Sequence, residues 1–280
     1  MNLTLARFCL LRSRKSEYKE DKATTDCRLR VMLREFMPTF EKVLLPQPTT
    51  KAVQFILFYL LSLKVSFPDS FIDWLLKRVT TPSEPMLQRQ AAASYLCGLC
   101  ARADYVPAST VAEVVRILSR FCVEYLANIP ISKQRADQSK FLPFYFVAQT
   151  LFYIIIFRRE QLGLTLLSEL NLRTIVFAKL NPLAEMVPAV AQMFADIMKE
   201  TEVLFCHQVI DQARKERLSI RGLNDVVNPI DFHFPFDQCR LPKLNERVDS
   251  FYNYWNENED DDESSSSSSS SNGSDGEMEE

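Results

Sequence analysis

The sequence predicts an all-α protein, a HEAT-like α-solenoid of antiparallel helix pairs with an extended aromatic segment and a disordered acidic tail. Three observations lead there. Only five of 280 residues are glycine, and two of those five fall in the last eight residues. Hairpin turns and phosphate-cradling loops depend on glycine, so an all-β or nucleotide-binding α/β chain would use more. Apolar residues recur at helical spacing through most of the chain. The connections between these segments are short and often marked by proline, which folds consecutive helices back on one another. No strict repeat period is present, and a compact irregular helical domain is the alternative architecture.

Residues 1–25 form a poorly defined N-terminal segment with apolar Leu3, Leu5, Phe8, Leu10 and Leu11, followed by a charged stretch. The basic cluster follows the short apolar piece, the reverse of a secretory signal. The helical domain is placed at 26–256. Asp26 is positioned to cap a helix through Leu29, Leu33 and Phe36, which Pro38 ends or kinks. Residues 52–65 form a strongly apolar helix. Pro68 opens a third, with Phe71, Ile72, Leu75, Leu76 and Val79 on one face. Residues 80–85 are a turn. Residues 86–101 form a helix whose Ala91, Ala92, Ala93 and Gly98 permit close approach of a neighbour. Pro107 opens the next, where Val111, Val114, Val115, Leu118, Phe121, Cys122 and Tyr125 oppose Glu113, Arg116 and Arg120.

A polar loop, 128–140, leads into the most apolar stretch of the chain. Residues 141–157 carry no charge, and then Arg158, Arg159 and Glu160 arrive together. A segment apolar all round is buried on all sides, in lipid or in a large core. Its length of 17 residues sits at the lower edge of a membrane span of roughly 17–25. It contains Pro143, Gln149 and Thr150, and its neighbours are amphipathic helices that need an apolar partner. The core reading is favoured and no membrane is expected.

Residues 162–170 read as a short helix, and Asn171 caps another running to Leu180. Residues 186–209 read as helical, dividing near 199–201. Beyond Asn228 the prolines at 229, 235 and 242, with Phe232, Phe234 and Phe236 between them, exclude a long helix. Phe251, Tyr252, Tyr254 and Trp255 suggest a final docked helix. Residues 257–280 are low-complexity and are expected to be disordered. This tail holds ten of the 36 acidic side chains and no Lys or Arg, so a net charge of −3 conceals +7 on the other 256 residues. Such asymmetry suits an interaction tail or a nucleic-acid setting.

Chemistry has little to stand on. Seven scattered cysteines do not make a disulfide framework and read as thiols in a reducing compartment. Cys97 and Cys100 form a CxxC on a helix, but no second pair or nearby histidine completes a zinc site. Cys206–His207 is likewise isolated. No HExxH, GxSxG or Walker-type loop is present among residues that include only two histidines. No catalytic residue, cofactor or metal site and no small-molecule substrate is expected. Arg89, Arg102, Arg158 and Arg159 are candidate partner-binding residues, as one basic patch or as scattered, ion-paired cations. Direct DNA contact through them is supported by no motif. In the tail, Ser274 has Asp275 beside it and Glu277 three residues on, the context of an acidophilic kinase site. Phosphate on Ser274 would give Ser271, then Ser268 and Ser265, the same context, each adding about −1.5 to −2 charge.

Four ordered blocks resemble one family. Residues 83–107 are similar to the RQAA…Y…LARA.F.P segment of the RNA polymerase I-specific transcription initiation factors of the TIF-IA type, with Arg89, Gln90, Ala91, Ala92, Tyr95, Ala101, Arg102, Ala103 and Pro107 in register. Residues 143–162 resemble its PFY…Q..FY.F.FR..QL segment. Residues 180–190 and 228–239 follow in order, and the closing Tyr–Trp at 252–255 fits. The resemblance covers roughly 50–256 and corresponds to the C-terminal part of longer members. It implies a helical HEAT-repeat protein, not an enzyme, located in the nucleus and nucleolus. Its partners would be RNA polymerase I and promoter-bound initiation factors at ribosomal RNA genes. A transport or assembly scaffold on the same architecture is the alternative.

Overall fold

The computed structural model describes residues 22–47, 53–129, 138–220 and 247–254. Ten α-helices account for most of them: α1 (Lys22–Thr39), α2 (Val53–Ser62), α3 (Ser66–Thr80), α4 (Met86–Arg102), α5 (Ala108–Ala127), α6 (Leu142–Glu169), α7 (Leu172–Val176), α8 (Pro182–Glu185), α9 (Pro188–Glu200) and α10 (His207–Ile220). Among the described residues there is no strand, only one isolated antiparallel bridge between Ala103 and Tyr252. The all-α class is borne out.

Helix α6 is the centre. It packs against α4, α5 and α9, and touches α7 and α8, while α3 packs on α4 and α2 on α3. Every residue from Pro143 to Ile156 is buried, which is why the uncharged run needs no lipid. No described helix is long and apolar enough to cross a membrane. α4 is the second helix buried nearly all round, from Arg89 to Ala101 apart from Ser94. Its Ala91–Ala93 run meets α6 closely enough for the Thr150 hydroxyl to donate to the Ala93 carbonyl at 3.4 Å as well as to Phe146 at 2.8 Å.

The outer helices are amphipathic. α3 buries Phe71, Ile72, Leu75, Leu76 and Val79, and α5 buries Val111, Val114, Val115, Leu118 and Cys122. Glu113, Arg116 and Arg120 face solvent, as the spacing requires.

Several boundaries differ from expectation. Asp26 lies inside α1, and its carboxylate receives the Lys64 ammonium at 2.5 Å rather than capping the helix. Pro38 sits in the last turn of α1, and the chain passes into a π-helical turn, Phe40–Leu44, closed by Leu45 N–H to Phe40 carbonyl at 2.8 Å. At Gly163 the backbone of α6 turns non-helical with φ +72°, a conformation that glycine adopts without penalty. The short helix expected over 162–170 is thus the far side of this kink. α7 ends at Val176, not Leu180. Asn181, at φ 45°, instead caps α8, its Oδ1 accepting the Ala184 N–H at 3.3 Å. α9 and α10 separate at 201–206, near the expected division. The proline-rich segment 228–244 and the tail lie outside the described residues.

Candidate functional site

The three candidate arginines of the core region have different fates. Arg89 is 5% exposed; its Nε donates to the Val79 carbonyl at 3.0 Å, and its guanidinium lies 5.9 Å from the Phe146 ring centre. Burial lowers its pKa, with Tyr125 acting the other way.

Arg158 is 1% exposed. Its Nε donates to the Cys100 carbonyl at 2.8 Å and its Nη2 to those of Ala103 at 2.8 Å and Val106 at 3.0 Å. Gln161 receives its Nη1 at 2.7 Å, and the Asp104 carboxylate lies 4.0 Å away. The last carbonyls of a helix lack intrahelical donors. Here an arginine from α6 supplies them to the end of α4. Burial lowers its pKa and the Asp104 carboxylate opposes that shift.

Arg89 and Arg158 therefore form no surface patch, which corrects the expectation for both. Both point inward and donate to interior backbone carbonyls.

Arg102 lies in front of the same corner between α4 and α5. Its Nε and Nη2 donate to the Tyr153 hydroxyl at 3.0 and 2.7 Å. Its guanidinium stacks 3.7 Å from the Phe157 ring centre, with Tyr252 at 5.7 Å. Its Nη1 donates to the Asn253 carbonyl at 3.0 Å, and its own carbonyl accepts the Asn253 N–H at 2.7 Å. Arg159, half-buried at the end of the apolar run, remains at the surface. Ser265, Ser268, Ser271 and Ser274 lie outside the described residues.

Residues 247–254 complete the corner. They do not form the helix expected from their aromatic spacing beyond a turn at 247–248. The Asp104 N–H donates to the Phe251 carbonyl at 2.9 Å, so the corner backbone pairs with the segment through a single antiparallel bridge. Three of the blocks that carry the family resemblance, 83–107, 143–162 and 252–255, meet at Arg102, Tyr153 and Tyr252.

The sequence reading missed one cation. Arg78 stacks 4.4 Å from the Trp74 ring centre and pairs with Glu41, with Glu84 at 3.2 Å and with Gln88 at 3.2 Å. The Trp74–Arg78 spacing of four residues was the available signal.

No group of three potential metal-ligating side chains occurs among the described residues. Cys97 and Cys100 are buried thiols; burial pushes Cys100 up to about 12 and Cys97 well above the ordinary thiol value. His207 is satisfied by Asp196 at 2.7 Å. A cavity of about 400 Å³ beside α5 is lined by opposite charges, Arg116 and Arg120 against Glu124 and Glu169. Iodoacetamide at pH 8 is therefore expected to modify exposed Cys27 while Cys97, Cys100 and Cys122 stay unmodified until urea is added. A thiol at about 12 holds a thiolate fraction roughly three orders of magnitude below an ordinary one. Peptide mapping by mass spectrometry reads the result.

A family model described as RNA polymerase I specific transcription initiation factor RRN3 matches residues 5–260. The chain belongs to this family. The match begins upstream of the 50–256 read from the ordered blocks. The RNA polymerase I-specific transcription initiation factor RRN3 of Mus musculus is 32% identical over 241 residues, which is 81% of this chain and 37% of the relative. The factor rrn3 of Schizosaccharomyces pombe is 28% identical over 73% of this chain and 35% of its own length. That of Saccharomyces cerevisiae is 27% identical over 66% and 30%. The chain thus spans about a third of the curated relatives it matches. A crystal structure of RNA polymerase I transcription initiation factor Rrn3 shares the fold with a TM-score of 0.74 at 23% identity, covering 89% of this chain and 53% of that one. The likeness to that structure is one of fold, a stack of packed helices.

Proposed function

We propose that this chain is a non-catalytic adaptor in RNA polymerase I transcription initiation. It acts through the outer faces of its helices in the nucleus and nucleolus, linking the polymerase to promoter-bound factors at ribosomal RNA genes. The observation that carries this reading is the family match over residues 5–260, on a stack whose fold follows an RNA polymerase I initiation factor. The polar faces of α3, α5 and α9 suit protein contact, and Arg159 is the candidate contact left at the end of the apolar run. The helical domain is assigned to 26–256 and the acidic segment to 257–280.

Rapid depletion of the protein, followed by pulse-labelling of new RNA, tests the reading. The expected result is a fall in precursor ribosomal RNA synthesis while messenger RNA synthesis continues. Unchanged ribosomal RNA labelling counts against it. The tail is assigned a regulatory role, with Ser274 phosphorylated first and Ser271, Ser268 and Ser265 following. Phosphopeptide mapping of the protein from growing cells checks this; an unmodified Ser274 removes the cascade.

A further inference from the structure

Residues 247–254 are attached to the stack in an unusual way for an all-helical protein. The segment pairs with the α4–α5 corner through the Ala103–Tyr252 bridge. Its main-chain bonds are Asp104 N–H to the Phe251 carbonyl at 2.9 Å and Asn253 N–H to the Arg102 carbonyl at 2.7 Å. The Arg102 guanidinium adds the bond to the Asn253 carbonyl. Two buried side chains seat the segment: Val248 is fully buried, and Tyr252 lies 5.8 Å from Phe55 ring to ring. Phe251 packs edge-on against Tyr105 at 5.2 Å, and the exposed Arg247 donates to the Tyr59 hydroxyl of α2 at 3.0 Å, while Asp249 and Ser250 face solvent.

The corner is also held by contacts that do not involve this segment. Arg158 holds it from the inside through the carbonyls of Cys100, Ala103 and Val106. Tyr153 and Phe157, both on α6, hold the Arg102 side chain. Ala103 is extended, φ −92° and ψ 108°, so the corner presents a carbonyl and an N–H outward as a short strand edge. An edge with an adjacent apolar seat and a fixed cation is the equipment of strand addition, in which main-chain bonds give affinity and pockets read alternate side chains.

We infer that the α4–α5 corner is a docking edge for an extended peptide bearing an aromatic side chain, and that residues 247–254 are its cis occupant, a strap that opens without unfolding the stack. Arg102 is the residue that reads the occupant: it supplies one side-chain donor and one main-chain acceptor to the same residue of the strap. A segment of the same chain meets its docking edge at an effective concentration on the order of millimolar, so the same peptide in trans is expected to bind an emptied corner with a dissociation constant at or below about 1 mM.

Hydrogen exchange followed by mass spectrometry on the full chain, and on a Val248→Asp/Asn253→Pro variant that alters only the strap, tests the inference. In the unaltered chain the Asp104 and Asn253 amides are expected to exchange at least about tenfold faster than those of residues 151–155 in α6. In the variant, α6 protection is expected to persist. A synthetic peptide of residues 247–254 is then expected to bind the variant with a dissociation constant at or below about 1 mM, and the unaltered chain at least about tenfold more weakly. Equal exchange rates for strap and α6, or loss of α6 protection in the variant, would make the strap an integral part of the core and overturn the inference. Absence of peptide binding to the variant, or equal binding to both chains, would overturn the docking edge.

Discussion

Replacing Arg158 by alanine is expected to lower stability by about 3–5 kcal/mol, the largest effect of any single polar substitution in the described stack. The guanidinium donates three bonds of 2.8–3.0 Å to the carbonyls of Cys100, Ala103 and Val106. Cys100 is the telling acceptor. The Asp104 N–H that would continue the α4 ladder to it is turned instead to Phe251. Without Arg158 the Cys100 carbonyl stays buried with no donor in reach, and each such group costs about 1–3 kcal/mol. Hydrogen bonds from a charged donor are also the stronger kind. Lysine is not a conservative replacement, because one ammonium cannot reproduce the flat fork that reaches three carbonyls. Arg158→Lys is expected to recover less than half of the loss. Urea unfolding followed by circular dichroism provides the comparison. An Arg158→Ala chain within about 1 kcal/mol of the unaltered one would show that the guanidinium is dispensable to the corner.

Phe152→Ala is the second large effect. Phe152 and Phe194 are fully buried and stack at 4.1 Å between ring centres with an 18° tilt, joining the middle of α6 to α9. Truncation removes the ring's burial and leaves a cavity in a region fixed from several sides by α4, α5 and α9. Phe to Ala at such a site costs about 3–5 kcal/mol. Phe194→Ala is expected to fall in the same range. The double variant is expected to cost less than the sum by about 1 kcal/mol or more, because the two rings share one contact and one void. Strict additivity would mean that the rings do not act as a pair.

These two sites mark the boundary of what the sequence discloses. Phe152 was legible: a run with no charge from 141 to 157 has to be buried, and the amphipathic stripes of α5 and α9 show what covers it. The seven-residue stripe of α5 and its three charges fall where the 3.6-residue period puts them. Arg158 was not legible. An arginine ending an apolar run looks like a helix end reaching solvent, and its true destination depends on carbonyls 52–58 residues away. Arg89 misled as well: it sits in the first turns of α4, and its Nε turns inward to the Val79 carbonyl at the end of α3. The pairing of Ala103 with Tyr252 joins residues far apart in the chain, so no local period could reveal it. The aromatic spacing at 251–255 suggested a helix, yet over 251–254 the backbone pairs with the corner through a single bridge and the tertiary bonds prevailed. Asn181 shows a smaller version of the same limit. The helix expected to run to Leu180 ends at Val176, and Asn181 caps the next one.

The most direct test of the central claim is affinity purification of the tagged full chain from nuclear extract, with bound proteins identified by mass spectrometry. The expected result is recovery of RNA polymerase I subunits, promoter-bound initiation factors, or both, above an untagged control. Recovery of neither, from a chain shown to be folded and nuclear, would contradict an adaptor role in RNA polymerase I initiation.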